Sequence, residues 1–181
     1  ETGENRMITT WKSIAAGFGG QGVLTIGRML AYAGMVEGKE VTFIPSYGAE
    51  MRGGTANCST IVSDRMISNP VVTVPNIVAA MNLQSLHKFE GALEPGMFLF
   101  YNTSVIPEKP KRTDIQIIPV EANRIAIELG AERSANIVML GAIIRATNML
   151  KLESVETALA KEFYGAKAAL LPKNVAALYA A

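Results

Sequence analysis

A strand, a glycine turn, a helix and a second strand follow one another in residues 11–45. This order predicts an α/β fold: a three-layer sandwich with a mostly parallel, Rossmann-like sheet, a short antiparallel excursion and helices on both faces. Two further observations support it. Strand-like segments are interspersed with helix-like ones along the chain, and no repeat or low-complexity linker interrupts them. A chain of 181 residues without such a break is expected to be one domain, here residues 11–181, preceded by a frayed segment over residues 1–10.

The elements follow in order. Residues 11–16 read as a strand leading into Gly17-Phe18-Gly19-Gly20-Gln21-Gly22, after which Val23, Leu24, Ile26, Leu30, Ala33 and Met35 recur at helical spacing. With the strand at 41–45 they make a βαβ unit, which predicts parallel pairing through a right-handed crossover. Residues 57–62 and 65–67 flank Ser63-Asp64 and predict the antiparallel excursion. A buried strand is expected at 76–81 and a helix at 83–92. Glu94-Pro95-Gly96 reads as a turn, with further strands at 97–101 and 115–120. A helix at 121–129 stops at Gly130. Residues 134–150 are apolar nearly all round, so that helix is either central or an interface helix. One more helix is expected to about Phe163. A last one begins near Ala166, with Pro172 either kinking or restarting it.

Composition excludes several function classes. A formal net charge of +1 supplies no field for nucleic acid or an anionic membrane, and Lys109-Pro110-Lys111-Arg112 reads as a solvated loop. The longest apolar run, 137–144, is too short to span a bilayer. The polar, acidic start resembles no signal peptide, so a cytoplasmic protein is expected. Hydrophobic residues reach 49% and charged ones only 18%, which predicts apolar surface covered by a partner, and homo-oligomers of the isolated chain.

Cys58 is the sole cysteine, so an internal disulfide, a cysteine-rich zinc site and a four-thiolate cluster are excluded. Its place in a strand-like run predicts a buried, inert thiol. The sole histidine, His87, has no metal or triad company and belongs on a helix surface. Neither a catalytic residue nor a metal ligand is assigned.

Two glycine loops remain. Gly17, Gly19 and Gly22 fit G-x-G-x-x-G after a strand and before a helix, a pattern that lets backbone approach a phosphate. The second strand ends Ile44-Pro45-Ser46-Tyr47, without the acid that would bind a dinucleotide's ribose. Three readings stay open: a dinucleotide site, a turn needed for packing, and a site for another phosphate-bearing ligand or a partner's loop. The second loop runs Ser46-Tyr47-Gly48-Ala49-Glu50-Met51-Arg52-Gly53-Gly54-Thr55-Ala56-Asn57. In a parallel sheet both loops share the carboxyl edge. Gly17, Gly19, Gly20, Gln21, Gly22, Ser46, Tyr47, Gly48, Glu50, Arg52, Gly53, Gly54, Thr55 and Asn82 are therefore the binding candidates. Arg52 either grips an anion or pairs with Glu50 to shape the loop. The set holds no nucleophile with a base.

On these two loops, with Ala80-Met81-Asn82 and the apolar helix from Asn136 to Gly141, the chain resembles the gamma subunit of the 2-oxoacid:ferredoxin (acceptor) oxidoreductases over residues 12–180. Gly48-Ala49-Glu50-Met51 resembles members acting on 2-oxoglutarate or a branched-chain 2-oxoacid such as ketoisovalerate. The resemblance implies a subunit of an oxidoreductase that decarboxylates a 2-oxoacid, yields an acyl-CoA and passes electrons to ferredoxin. It implies that thiamine diphosphate, magnesium and 4Fe-4S clusters lie in the catalytic and ferredoxin-like partner subunits. It further implies that no cofactor is firmly bound by this chain, and that such a domain packs beside the catalytic subunits and helps to hold coenzyme A. A self-contained NAD(P)- or flavin-dependent oxidoreductase of Rossmann type is the alternative.

Overall fold

The computed structural model describes residues 9–47 and 54–181. Strand β1 (Thr10–Phe18) leads through the first glycine turn to helix α1 (Val23–Val36) and strand β2 (Glu40–Tyr47). Strand β3 (Thr55–Ser63) follows, then β4 (Ile77–Ala80) and helix α2 (Leu83–Phe89). Strands β5 (Phe98–Asn102) and β6 (Gln116–Val120) complete the sheet. Four helices end the chain: α3 (Ala122–Glu128), α4 (Ala135–Thr147), α5 (Leu152–Glu162) and α6 (Leu171–Ala180). Pro172 lies in the first turn of α6, so it restarts the helix after a short 3-10 segment, Gly165–Leu170, where its missing N–H costs nothing.

The six strands lie in the order β2-β3-β1-β4-β5-β6. Strands β1, β4, β5 and β6 are parallel neighbours, whereas β3 runs antiparallel to both β1 and β2. The expected direct pairing of the first two strands is therefore corrected: β3 is inserted between them. Strands β2 and β3 are consecutive in the chain and pair antiparallel, and a short connection closes at less entropic cost than a distant pairing. Residues 65–67 form no strand; the antiparallel partners of β3 are β1 and β2 instead.

One face of the sheet is covered by α1 and the four C-terminal helices, with Ala15, Cys58, Val62, Ala79 and Phe100 beneath them. The other carries α2 and the segments around it, packed on Ile14, Ala16, Val78, Ala80 and Leu99. Helix α4 is the central one, with nine buried residues. It approaches α6 so closely that a Cβ on Gly141 would strike the Leu178 carbonyl. The edge strands β2 and β6 each carry a proline, Pro45 and Pro119, which blunts them against further strand pairing.

The basic segment at 109–112 is a surface loop, as expected, with Lys109 and Lys111 exposed, and it is also tethered. Buried Glu90 accepts hydrogen bonds from the backbone N–H of Lys111 (2.5 Å) and Arg112 (2.8 Å). The Arg112 guanidinium donates to the carbonyl of Leu93 and pairs with Asp114, whose carboxyl it holds below its ordinary range.

Candidate functional site

The glycine turn closes on its own side chain. The Phe18 N–H donates to Gln21 Oε1 (2.7 Å), and Gln21 Nε2 donates to the carbonyl of Met81 at the end of β4 (2.9 Å). Gln21 thus fastens the turn to the neighbouring strand, and its carboxamide is committed to backbone. Gly22 takes φ 73° as the residue before α1, a conformation that suits glycine. Its carbonyl accepts from Thr25 and Ile26 N–H and also from Asn136 Nδ2, at 3.1 Å. A Cβ on Gly22 would collide with the Asn136 carboxamide, and one on Gly17 would meet Met81 and Val23 at 2.9 Å. Both positions therefore have a packing reason to be glycine.

The loops do share an edge, since the Gly19 N–H donates to the Gly54 carbonyl at 3.0 Å. Ser46 is exposed near the end of β2, and the backbone of Tyr47 pairs with Ala56. Thr55 is exposed opposite Phe18. Gly48, Glu50, Arg52 and Gly53 lie outside the described residues. Asn82 is buried at the head of α2, where its Oδ1 accepts from the Ser85 N–H at 2.8 Å. That cap leaves Asn82 Nδ2 buried without a partner, an orphan donor on the same carboxyl edge.

The chain leaves β1 toward β2 and leaves β4 toward β5, so the sheet's direction of winding reverses between β1 and β4. Ligands of open α/β sheets occupy that crevice. A cavity of about 420 Å³ lies there, lined by Gly20, Gln21, Met81, Asn123, Asn136 and the consecutive charges Glu132 and Arg133. Of the sequence candidates among the described residues, Gly20 and Gln21 reach it. Asn123, Glu132, Arg133 and Asn136 were missed as site residues; Asn136 was named for its place at the start of the apolar stretch that carries the family resemblance. Asn102, fully buried at the end of β5, supports the wall. Its Oδ1 accepts from the Ser104 N–H (3.3 Å), and its Nδ2 donates to Asn123 Oδ1 (2.7 Å).

Among the described residues the cavity lining holds no cysteine, serine, threonine or histidine. Cys58 lies elsewhere, under α1, with its Sγ directed at the Val23 carbonyl (3.4 Å), and burial pushes its thiol up to about 11. This is the expected inert thiol. His87 sits exposed on α2 against Glu108, at 2.9 Å. Among the described residues no group of three or more His, Cys, Asp or Glu side chains could hold a metal ion. No helix among them is long and apolar enough to cross a membrane.

A family profile described as "Pyruvate ferredoxin/flavodoxin oxidoreductase" matches residues 12–181. Ketoisovalerate oxidoreductase subunit VorA of Methanothermobacter marburgensis is 40% identical over 129 residues, which are 71% of this chain and 27% of that one. The chain thus spans about a quarter of the length of the first curated relatives it matches. The solved gamma subunit of a keto/oxoacid ferredoxin oxidoreductase from Geobacter sulfurreducens superposes with a TM-score of 0.79 at 26% identity, covering 93% of this chain and 94% of its own. The fold also matches 2-oxoglutarate:ferredoxin oxidoreductase from Magnetococcus marinus, solved with 2-oxoglutarate, coenzyme A and succinyl-CoA bound. That TM-score is 0.85 at 23% identity, over 94% of this chain and 30% of the other.

Proposed function

Because the chain belongs to the pyruvate ferredoxin/flavodoxin oxidoreductase family, we propose that it serves as the gamma-type component of a multisubunit 2-oxoacid:ferredoxin oxidoreductase. The complex oxidatively decarboxylates a 2-oxoacid, forms an acyl-CoA and passes the electrons to ferredoxin. This component works in the cytoplasm and offers the carboxyl edge of its sheet to coenzyme A. The observation that carries this reading is the meeting of the two glycine loops, Gly19 N–H to Gly54 carbonyl, beside a polar cavity at the winding reversal. The orphan Asn82 Nδ2 on that edge fits a polar ligand.

The chemistry itself belongs to partners. A single cysteine cannot hold a four-thiolate cluster, so the iron–sulfur chain, like thiamine diphosphate and magnesium, is assigned to the catalytic and ferredoxin-like subunits. What remains for this chain is binding and orientation. Gln21 and Asn136 fix the glycine turn, and the loop carrying Glu50 and Arg52 supplies the candidate anion contact. A self-contained dinucleotide enzyme is not favoured. The end of β2 lacks a ribose-binding acid.

The test is reconstitution. Complexes assembled with and without this chain are assayed for ferredoxin reduction with ketoisovalerate or 2-oxoglutarate. Turnover that requires both this chain and coenzyme A is expected with one of the two acids. Full coenzyme A-dependent turnover in its absence would refute the assignment.

A further inference from the structure

From residue 161 to residue 173, every third position alternates between lysine and a large apolar side chain: Lys161, Tyr164, Lys167, Leu170 and Lys173. The middle of this run is the 3-10 segment Gly165–Leu170. In such a helix side chains three apart eclipse one another, so Lys167 and Leu170 share one face. None of its six residues is buried, and Tyr164 and Leu170 are 75% and 50% exposed. The segment is nonetheless apolar, with three alanines and a leucine around one lysine. Connections that meet only water draw on Asn, Asp, Ser and Pro; this one offers small side chains over which another surface can close.

The charge here is one-sided. Residues 163–181 hold two lysines and no acid. Glu162 is taken by Arg28 at 3.1 Å, and Glu128 by Arg124 at 2.6 Å. Lys173 Nζ donates to the Gly130 carbonyl (2.7 Å), and Glu132 just beyond it is offset by its neighbour Arg133. Among the described residues no ion pair includes Lys161, Lys167 or Lys173, and all three are exposed. The place of the segment in the fold is also defined. Ser134 Oγ donates to Asn174 Oδ1 of α6 (2.9 Å), two residues before the Asn136 that bonds the Gly22 carbonyl. The segment leading into α6 therefore stands at the end of the helical layer that flanks the glycine turn. We propose that residues 161–173 form a docking surface for an acidic face of another protein subunit, with carboxylates against the lysines and an apolar side chain over Tyr164 and Leu170. Two large apolar side chains are too few for insertion into a lipid surface, whereas opposite charge around an apolar centre suits a folded partner. Naming that partner as a subunit of the same complex rests on the function proposed above.

Carbodiimide, which joins an amine to a carboxylate in direct contact, is applied to the complex reconstituted from full-length chains. Mass spectrometry is expected to find Lys161, Lys167 or Lys173 coupled to Asp or Glu of a partner subunit. Lys167→Glu and Leu170→Asp should each weaken binding to the partner subunits by about tenfold or more, and the loss for Lys167→Glu should shrink as salt is raised. Both side chains are exposed, so the circular dichroism of the variants should match the parent. Lys109→Glu, in the exposed loop held by Glu90 on the α2 side, should leave the affinity unchanged. Couplings confined to copies of this chain, or parental affinity in both variants, overturn the proposal and leave the enzyme function intact. Binding to phosphatidylserine vesicles that Lys167→Glu abolishes would assign the surface to a membrane and overturn it as well. If the couplings and losses are found in a complex that turns over without this chain or coenzyme A, the docking surface stands and the proposed function falls.

Discussion

Gly20 and Gly22 both hold positive φ, 93° and 73°, yet their surroundings differ. Nothing lies near a Cβ built on Gly20, while one on Gly22 would meet Asn136. Alanine at Gly20 should therefore cost only the left-handed backbone, about 1–2 kcal/mol. Alanine at Gly22 adds the loss of the Asn136 bond and should cost about 1–2 kcal/mol more. Urea unfolding of both variants checks the order, and equal losses would contradict it. Cys58 makes a second residue-scale prediction. Burial raises its thiol from 9.0 to about 11, so the folded state holds the proton longer than the unfolded one. Its contribution is full below about pH 9 and is lost between pH 9 and 11, amounting to about 2–3 kcal/mol. The stability of the native chain relative to Cys58→Ala should fall across that window. A difference that stays level from pH 8 to 11.5 would show the thiol titrating alike in both states.

At the scale of elements, hydrophobic period and glycine or proline punctuation located nearly every strand and helix, because those signals are local. The position of β3 was not legible. Its alternation, with Ala56, Cys58 and Val62 buried, says that one face is covered and says nothing of which strands flank it. The candidate site divides in the same way. The glycine turn was visible as a motif, but the fastening of Gln21 to β4 was not, because the Met81 carbonyl it meets lies 60 residues away. Asn123 and Asn136 reach the cavity only through folding, from helices more than a hundred residues beyond the turn. Glu90 was missed because a single acid near the end of a short helix looks like surface. In the fold it holds two backbone N–H groups of the 109–112 segment. Glu90→Ala should leave those donors unpaired and destabilise the chain by about 1–3 kcal/mol. It should also speed tryptic cleavage between Lys111 and Arg112. Unchanged cleavage would mean that Arg112, bonded to the Leu93 carbonyl and Asp114, anchors the segment unaided.

For the whole molecule, the distribution of exposed apolar side chains bears on assembly. Met35 on α1, Met66 after β3, Ile127 on α3 and Tyr164 after α5 are 60%, 88%, 60% and 75% exposed. They belong to different elements, as suits a subunit enclosed by several neighbours rather than by one. Both edge strands carry proline, so association through an extended sheet is disfavoured, leaving helix faces and loops to make the contacts. The isolated chain should then self-associate reversibly as concentration rises, and partner subunits should displace that association. Light scattering across a hundredfold concentration range measures the first effect, and its loss on adding the partners measures the second. Glutamate at Met35 and Tyr164 should weaken the self-association without altering the circular dichroism of the fold, since both side chains are mostly in solvent. A monomer at every concentration would indicate that this surface is not sticky by itself. Association that survives both substitutions would locate it on faces away from α1 and the turn after α5.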